Sequence, residues 1–206
     1  FTLFTALNNS WCPFFFEDMK QGNRESLREK AGNFLELFTV LSVGFVLLAS
    51  EVYRYVYVSR DFWGSTMLIP IFVSSYYTNF LCTFPVNFEY YHKKTKVVSI
   101  ITIVSSLINV GLNYLLILRI GMAGAAVATL ISHSLQLTLH YLYVRFALGG
   151  KEYPFPLKMW VGYAAVFAAV AVASVAADGL WLARWGLGAA VGLWELLRIR
   201  KRKVLI

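Results

Sequence analysis

Seven apolar runs alternate with short polar connections along the chain, at residues 1–16, 34–58, 63–88, 97–118, 122–144, 159–177 and 180–197. A helix rises about 1.5 Å per residue, so crossing a hydrocarbon core about 30 Å thick takes roughly 20 apolar residues. Most of the runs meet or approach that length, and the pattern predicts an all-α, polytopic transmembrane bundle of about seven hydrophobic segments. Runs 97–118 and 122–144 are separated only by residues Arg119 to Gly121, which predicts a tight helical hairpin. The longest polar stretch, 17–33, interleaves Lys20, Arg24, Arg28 and Lys30 with Glu25 and Glu29. At three- and four-residue spacing these charges predict a solvated helix with local ion pairs, a connector at the membrane surface.

Composition agrees with the pattern. Apolar residues make up 58% of the chain and aromatic residues 17%, and the mean hydropathy is +0.60. Such a chain has too little polar surface to form a soluble globule. The net charge of +8 does not point to nucleic acid, because the basic residues fall in short connections between apolar runs. One set of alternate connections holds Lys20, Arg24, Arg28, Lys30, Lys93, Lys94, Lys96, Arg145, Lys151, Lys158 and the cluster Arg198, Arg200, Lys201, Arg202 and Lys203, which is 15 of the 19 Lys and Arg residues. The other set holds Arg54, Arg60, Arg119 and Arg184. Lys and Arg in short loops resist translocation, so the first set and the C-terminus are expected on the cytoplasmic side. Trp63, Trp181 and Trp185 then belong to the outer interfacial belt, and Trp160 and Trp194 to the inner one. Cys12 and Cys82 lie in apolar surroundings without metal-ligand spacing and read as small core residues. The chain begins at Phe1, and its first apolar run lacks the basic region and cleavage site of a signal peptide. A fragment of a longer protein is expected.

The hairpin carries a resemblance. Asn109, Asn113, Gly121, Gly124-Ala125-Ala126, Ala128-Thr129 and Ser132 follow the pattern N-x3-N, an aliphatic run, G-x-x-G-A-A, Ala-Thr and Ser. The pattern resembles the corresponding hairpin of the polysaccharide transporter family, flippases for lipid-linked sugars in the superfamily that also holds multidrug exporters and lipid II flippases. Asn9-Ser-Trp11-Cys-Pro13-Phe-Phe-Phe-Glu-Asp-Met is similar to a Trp/Pro-containing span two helix pairs earlier in that family. The resemblance covers about residues 9–146. It implies the second half of a 12–14-helix flippase. Residues 1–146 would form most of the C-terminal six-helix bundle, and 147–206 an appended helix pair with a basic cytoplasmic tail. It further implies a bacterial cytoplasmic membrane, a polysaccharide or lipopolysaccharide precursor as substrate, membrane lipids as surroundings and a missing N-terminal bundle as partner.

Polar side chains at bilayer depth are costly unless they face protein or a water-filled cavity, which makes the few present informative. His133 lies eleven residues into its run, roughly 16 Å along the helix and near the midplane. Gln136 and His140 follow at three and seven residues, on the same side of the helix. Two roles are open for these three side chains, lining a sugar-conducting cavity or hydrogen-bonding neighbouring helices. Asn79 is a further cavity candidate. Asn109 and Asn113, one turn apart, and Gly121, Gly124, Ala125, Ala126 and Thr129 read as a helix-packing motif in which small residues let backbones approach. Pro13, Pro70 and Pro85 are hinge candidates, since each would free a helical carbonyl. Glu36 is expected to reach water from the cytoplasmic end of its helix. His133 and His140 are roughly 10 Å apart along the axis, so no metal site is expected, and no cofactor either.

These readings converge on a transporter that moves a lipid-linked oligosaccharide across the membrane by alternating access. A cation-coupled exporter of drugs or metabolites is the alternative, disfavoured by the lack of a midspan carboxylate. An integral-membrane enzyme of polysaccharide synthesis is the remaining class, but no paired carboxylates, nucleophile-base pair or phosphate-binding glycine loop occurs with usable spacing.

Overall fold

The computed structural model describes residues 2–56, 65–148, 150, 152–176 and 180–202. Seven α-helices follow one another: α1 (Thr2–Gln21), α2 (Arg24–Val56), α3 (Ile69–Tyr91), α4 (Thr95–Ile120), α5 (Met122–Phe146), α6 (Leu157–Ala176) and α7 (Trp181–Arg202). Five helical stretches are long and apolar enough to cross a membrane: Arg24–Tyr53, Ser65–Tyr91, Thr95–Ile120, Met122–Phe146 and Leu157–Ala176. The chain is an all-α, multi-pass membrane protein. Of the seven segments expected, those that became α1 and α7 are helical but fall outside this set of five. Trp63 lies outside the described residues.

The polar stretch 17–33 is not a separate helix. Its first part completes α1, and its second part is the start of α2, a helix of 33 residues. The break is chemical and local. Gly22 takes a left-handed backbone (φ +69°), which costs a residue without Cβ least. Asn23 then accepts the Ser26 N–H on its Oδ1 at 3.2 Å, the usual satisfaction of a free donor at a helix start. Nor is the stretch merely solvated, for Leu27 and Ala31 are fully buried. Lys30 pairs with Asp18 across the turn at 2.8 Å, and Arg28 Nε donates to the Pro154 carbonyl at 2.6 Å.

The chain divides into two compact units, and the divisions fall inside α2, α3 and α6. The first unit comprises residues 1–34 and 75–160. Its core is aromatic. Trp11 stacks on Phe34 with ring centres 5.3 Å apart, and Phe15, Phe80, Phe84, Phe88 and Phe155 are fully buried. Trp160 belongs to this core rather than to an interfacial belt, edge-on to Tyr141 at 5.7 Å and to Tyr153 at 5.9 Å. Trp181, Trp185 and Trp194 are exposed, as belt residues must be. Cys12 and Cys82 are free thiols, Cys82 buried and Cys12 half-buried, its Sγ 3.8 Å from Asn87 Oδ1.

Helices α4 and α5 form the expected hairpin, joined by Gly121 alone at φ +62°. Its close approach is set at Gly124, where an added Cβ would lie 2.4 Å from the carbonyl carbon and oxygen of Leu116. No side chain fits there.

The second unit comprises residues 35–74 and 161–206. Val43, Val46 and Leu47 of α2 and Phe167 and Ala171 of α6 are buried, and a Cβ added at Gly188 of α7 would come into ordinary contact with Leu47 and Leu48. Its chief polar interaction is an ion pair. Arg184 Nη1 donates to Glu51 Oε1 at 3.0 Å, and Nη2 donates to the Val46 carbonyl at 3.2 Å.

Candidate functional site on helices α3 and α5

The three polar residues of α5 contact two different helices. Residues seven apart on a helix point the same way, but a residue three along is offset by about 60°. His133 and His140 accordingly turn to α3 while Gln136 turns to α4. His133 Nδ1 lies 2.8 Å from the Ser75 carbonyl oxygen. A carbonyl only accepts, so this nitrogen carries the proton and donates. The ring is also edge-on to Tyr76, 6.4 Å between centres. Gln136 is half-buried, and its Nε2 is 3.5 Å from Thr102 Oγ1 of α4, a loose contact that leaves most of the amide unused. Asn79 is half-buried on α3, one turn from Ser75.

This geometry aligns His133 with interhelical bonding. His133→Ala is therefore expected to lower stability in detergent by roughly 0.6–2 kcal/mol, the range for interhelical hydrogen bonds in membranes. Unfolding of the purified variant checks it, and stability equal to the parent's would show that this contact does not hold α5 to α3.

The hairpin motif forms one network. Asn109 Nδ2 donates to Ser132 Oγ across the two helices at 3.2 Å, Asn113 Nδ2 donates to Asn109 Oδ1 at 3.0 Å, and Ser132 Oγ donates to the Ala128 carbonyl at 2.8 Å. Thr129 Oγ1 donates to the Ala125 carbonyl at 2.9 Å, while Ala126 and Ala128 are fully buried. Each polar group spends its hydrogens on protein, as helix-packing residues do.

The proline candidates do not break their helices. Pro13 lies inside α1 and Pro85 inside α3, and both helices continue through them. Pro70 is the second residue of α3 and directly follows the 3-10 turn at residues 65–68, inside the continuous helical stretch Ser65–Tyr91.

The most unusual pair in the first unit went unnoticed at the level of sequence. Glu89 and His140 are both fully buried, and His140 Nδ1 lies 2.9 Å from both carboxylate oxygens. The run 63–88 stops one residue short of Glu89, so the glutamate counted as part of a loop. Helix α3 in fact continues to Tyr91 and carries it inside. A signal existed: helices two apart in an antiparallel series run the same way, so an acid in the last turn of α3 and a histidine in the second-last turn of α5 lie near the same membrane surface. Glu36 also departs from expectation, being buried and partnered rather than reaching water.

Around the pair the polar atoms are sparsely satisfied. His140 Nε2, His92 Nε2 and Tyr153 Oη are buried without a hydrogen-bond partner among the described residues. Burial holds the Tyr153 phenol well above its ordinary range, and Cys82, Tyr141 and Glu89 push in the same direction. Comparison with known protein families, with characterised proteins and with solved structures finds no match for this chain.

Proposed function

We propose that this chain is part of a membrane transporter that flips a lipid-linked oligosaccharide, a polysaccharide or lipopolysaccharide precursor, across a bacterial cytoplasmic membrane by alternating access. The observation that supports this most is Gln136. Its amide is near midspan on α5, half-buried, with one loose contact to the exposed Thr102 of α4. Hydrocarbon satisfies neither an amide nor a hydroxyl, so this place on the hairpin calls for a polar counterpart. Cargo hydroxyls passing between two bundles would supply one. The resemblance of the N-x3-N and G-x-x-G-A-A hairpin to the polysaccharide transporter family supports the same cargo. In this reading a further N-terminal bundle carries the cations for the diphosphate, and the basic C-terminus is cytoplasmic.

Cation-coupled export of small amphiphiles is the second reading, favoured by the buried carboxylates Glu51 and Glu89. Each already has a cationic or imidazole partner within the chain, which leaves neither open to a metal cation and ranks this reading second. Full-length protein reconstituted in vesicles is expected to move fluorescent lipid-linked oligosaccharide between leaflets. Transfer no faster than in protein-free vesicles refutes the flippase reading, and cation-dependent efflux of amphiphiles in its place would establish the second.

A further inference from the structure

We propose that the Glu89–His140 pair is a proton-binding site, with Nε2 of His140 as the atom that takes up and releases the proton. The reading does not depend on which cargo the protein carries.

Three observations lead there. The pair sits within two helices that cross the membrane, where ionisable residues are rare and mark ion or proton paths more often than scaffolding. Nδ1 stands at the same distance from both carboxylate oxygens, 2.9 Å, which suits one N–H donated to a carboxylate and occupies that nitrogen. Nε2 is buried and has no hydrogen-bond partner among the described residues. An unsatisfied buried polar atom costs about 1–3 kcal/mol, and in a neutral imidazole whose Nδ1 is engaged, Nε2 is the basic lone pair open to a proton.

The chemistry balances without any other reactant. With the Nε2 lone pair free, the site is a neutral imidazole beside a carboxylate, net charge −1. A proton from water adds to that lone pair, no other bond breaks, and the site becomes an imidazolium-carboxylate pair of net charge zero. The loaded form suits an apolar interior and clasps α3 to α5. The unloaded form leaves a carboxylate without counter-charge there, and such a charge must be solvated or released. Of the titratable groups around the pair, Cys82 on α3 and Tyr153 in the segment before α6 interact with Glu89, and Tyr141 on α5 interacts with Tyr153. Charged groups nearby are engaged elsewhere or exposed: Asp18 of α1 holds Lys30, Arg28 of α2 holds the Pro154 carbonyl, Arg145 of α5 reaches the Gly150 carbonyl at 3.5 Å, and Lys93, Lys94, Lys96, Glu152 and Lys158 are exposed. No second charge among them compensates Glu89. His92, in the turn that follows α3, stands in the sequence between Glu89 and the exposed Lys93 and Lys94, where protons would enter.

The test is the ¹⁵N-histidine spectrum of the intact protein in lipid. The His140 Nε2 signal is assigned by its loss in His140→Gln, or, should that variant not fold, by retaining it in the double variant His92→Gln, His133→Gln. It is expected to move between the free and protonated positions as samples are compared over an interval from about pH 5 to about pH 9. Glu89→Gln, which keeps the shape and removes the counter-charge, is expected to displace the midpoint. An Nε2 that holds one state across the interval in the unaltered protein, or a midpoint indifferent to Glu89→Gln, overturns the proposal.

Discussion

Arg184→Met is expected to destabilise the protein by about 3–5 kcal/mol, the cost of breaking a buried ion pair and leaving one charge uncompensated. The side chains of Arg184 and Glu51 are only 4% and 8% exposed, so water cannot replace the lost partner. The guanidinium also satisfies the Val46 carbonyl, which adds a lost hydrogen bond to the lost charge. The double variant Glu51→Leu, Arg184→Met is expected to recover most of the loss, because a desolvated ion pair and an apolar pair of similar volume are close in energy. Unfolding in detergent of the two single variants and the double variant gives the coupling directly. Single variants within about 0.5 kcal/mol of the parent, the range of ordinary surface substitutions, would show the pair to be solvated.

Gly124→Ala is expected to open the α4–α5 hairpin. A methyl group at this position would sit 2.4 Å from backbone atoms of Leu116 and 2.7 Å from the Ile117 nitrogen. Backbone cannot rotate aside as a side chain does, so the helices must separate, at a cost of about 1–3 kcal/mol for overpacking. Separation also lengthens the Asn109–Ser132 hydrogen bond that crosses the same interface. Gly111→Ala on α4 is the control, since nothing lies within 4 Å of its Cβ. There the alanine is expected to be neutral or to stabilise by up to about 1 kcal/mol through helix propensity. Equal stability of the two variants would mean that the helices are not in contact at Gly124.

Asn109, Asn113, Gly121 and Gly124 read as packing residues because amides and small side chains let membrane helices approach; in the structure Asn109 bonds Ser132 across the hairpin and Gly124 sets its closest approach, while Asn113 bonds within α4 and Gly121 forms the turn. The polar face of α5 was legible only as a list of residues. Spacing put His133, Gln136 and His140 on one side of the helix with cavity lining and interhelical bonding both open, and the offset of about 60° between positions three apart is enough for Gln136 to meet α4 while the two histidines meet α3. Trp160 read as an interfacial tryptophan because it follows Lys158, yet Tyr141 and Tyr153 enclose it. Glu89 was lost at a segment boundary, since hydropathy averaged along a run does not register a single charge whose partner lies in another helix.

The sequence by itself determined the helices and most of their ends. Hydropathy, helix rise and the Gly121 turn act over a few residues, and that is the range a linear pattern records. The partners of the buried charges were decided only by the tertiary structure. Glu89 meets His140 across 51 positions and Glu51 meets Arg184 across 133, and in an apolar interior each charge's cost depends on whether such a distant group arrives to offset it. No local pattern carries that information.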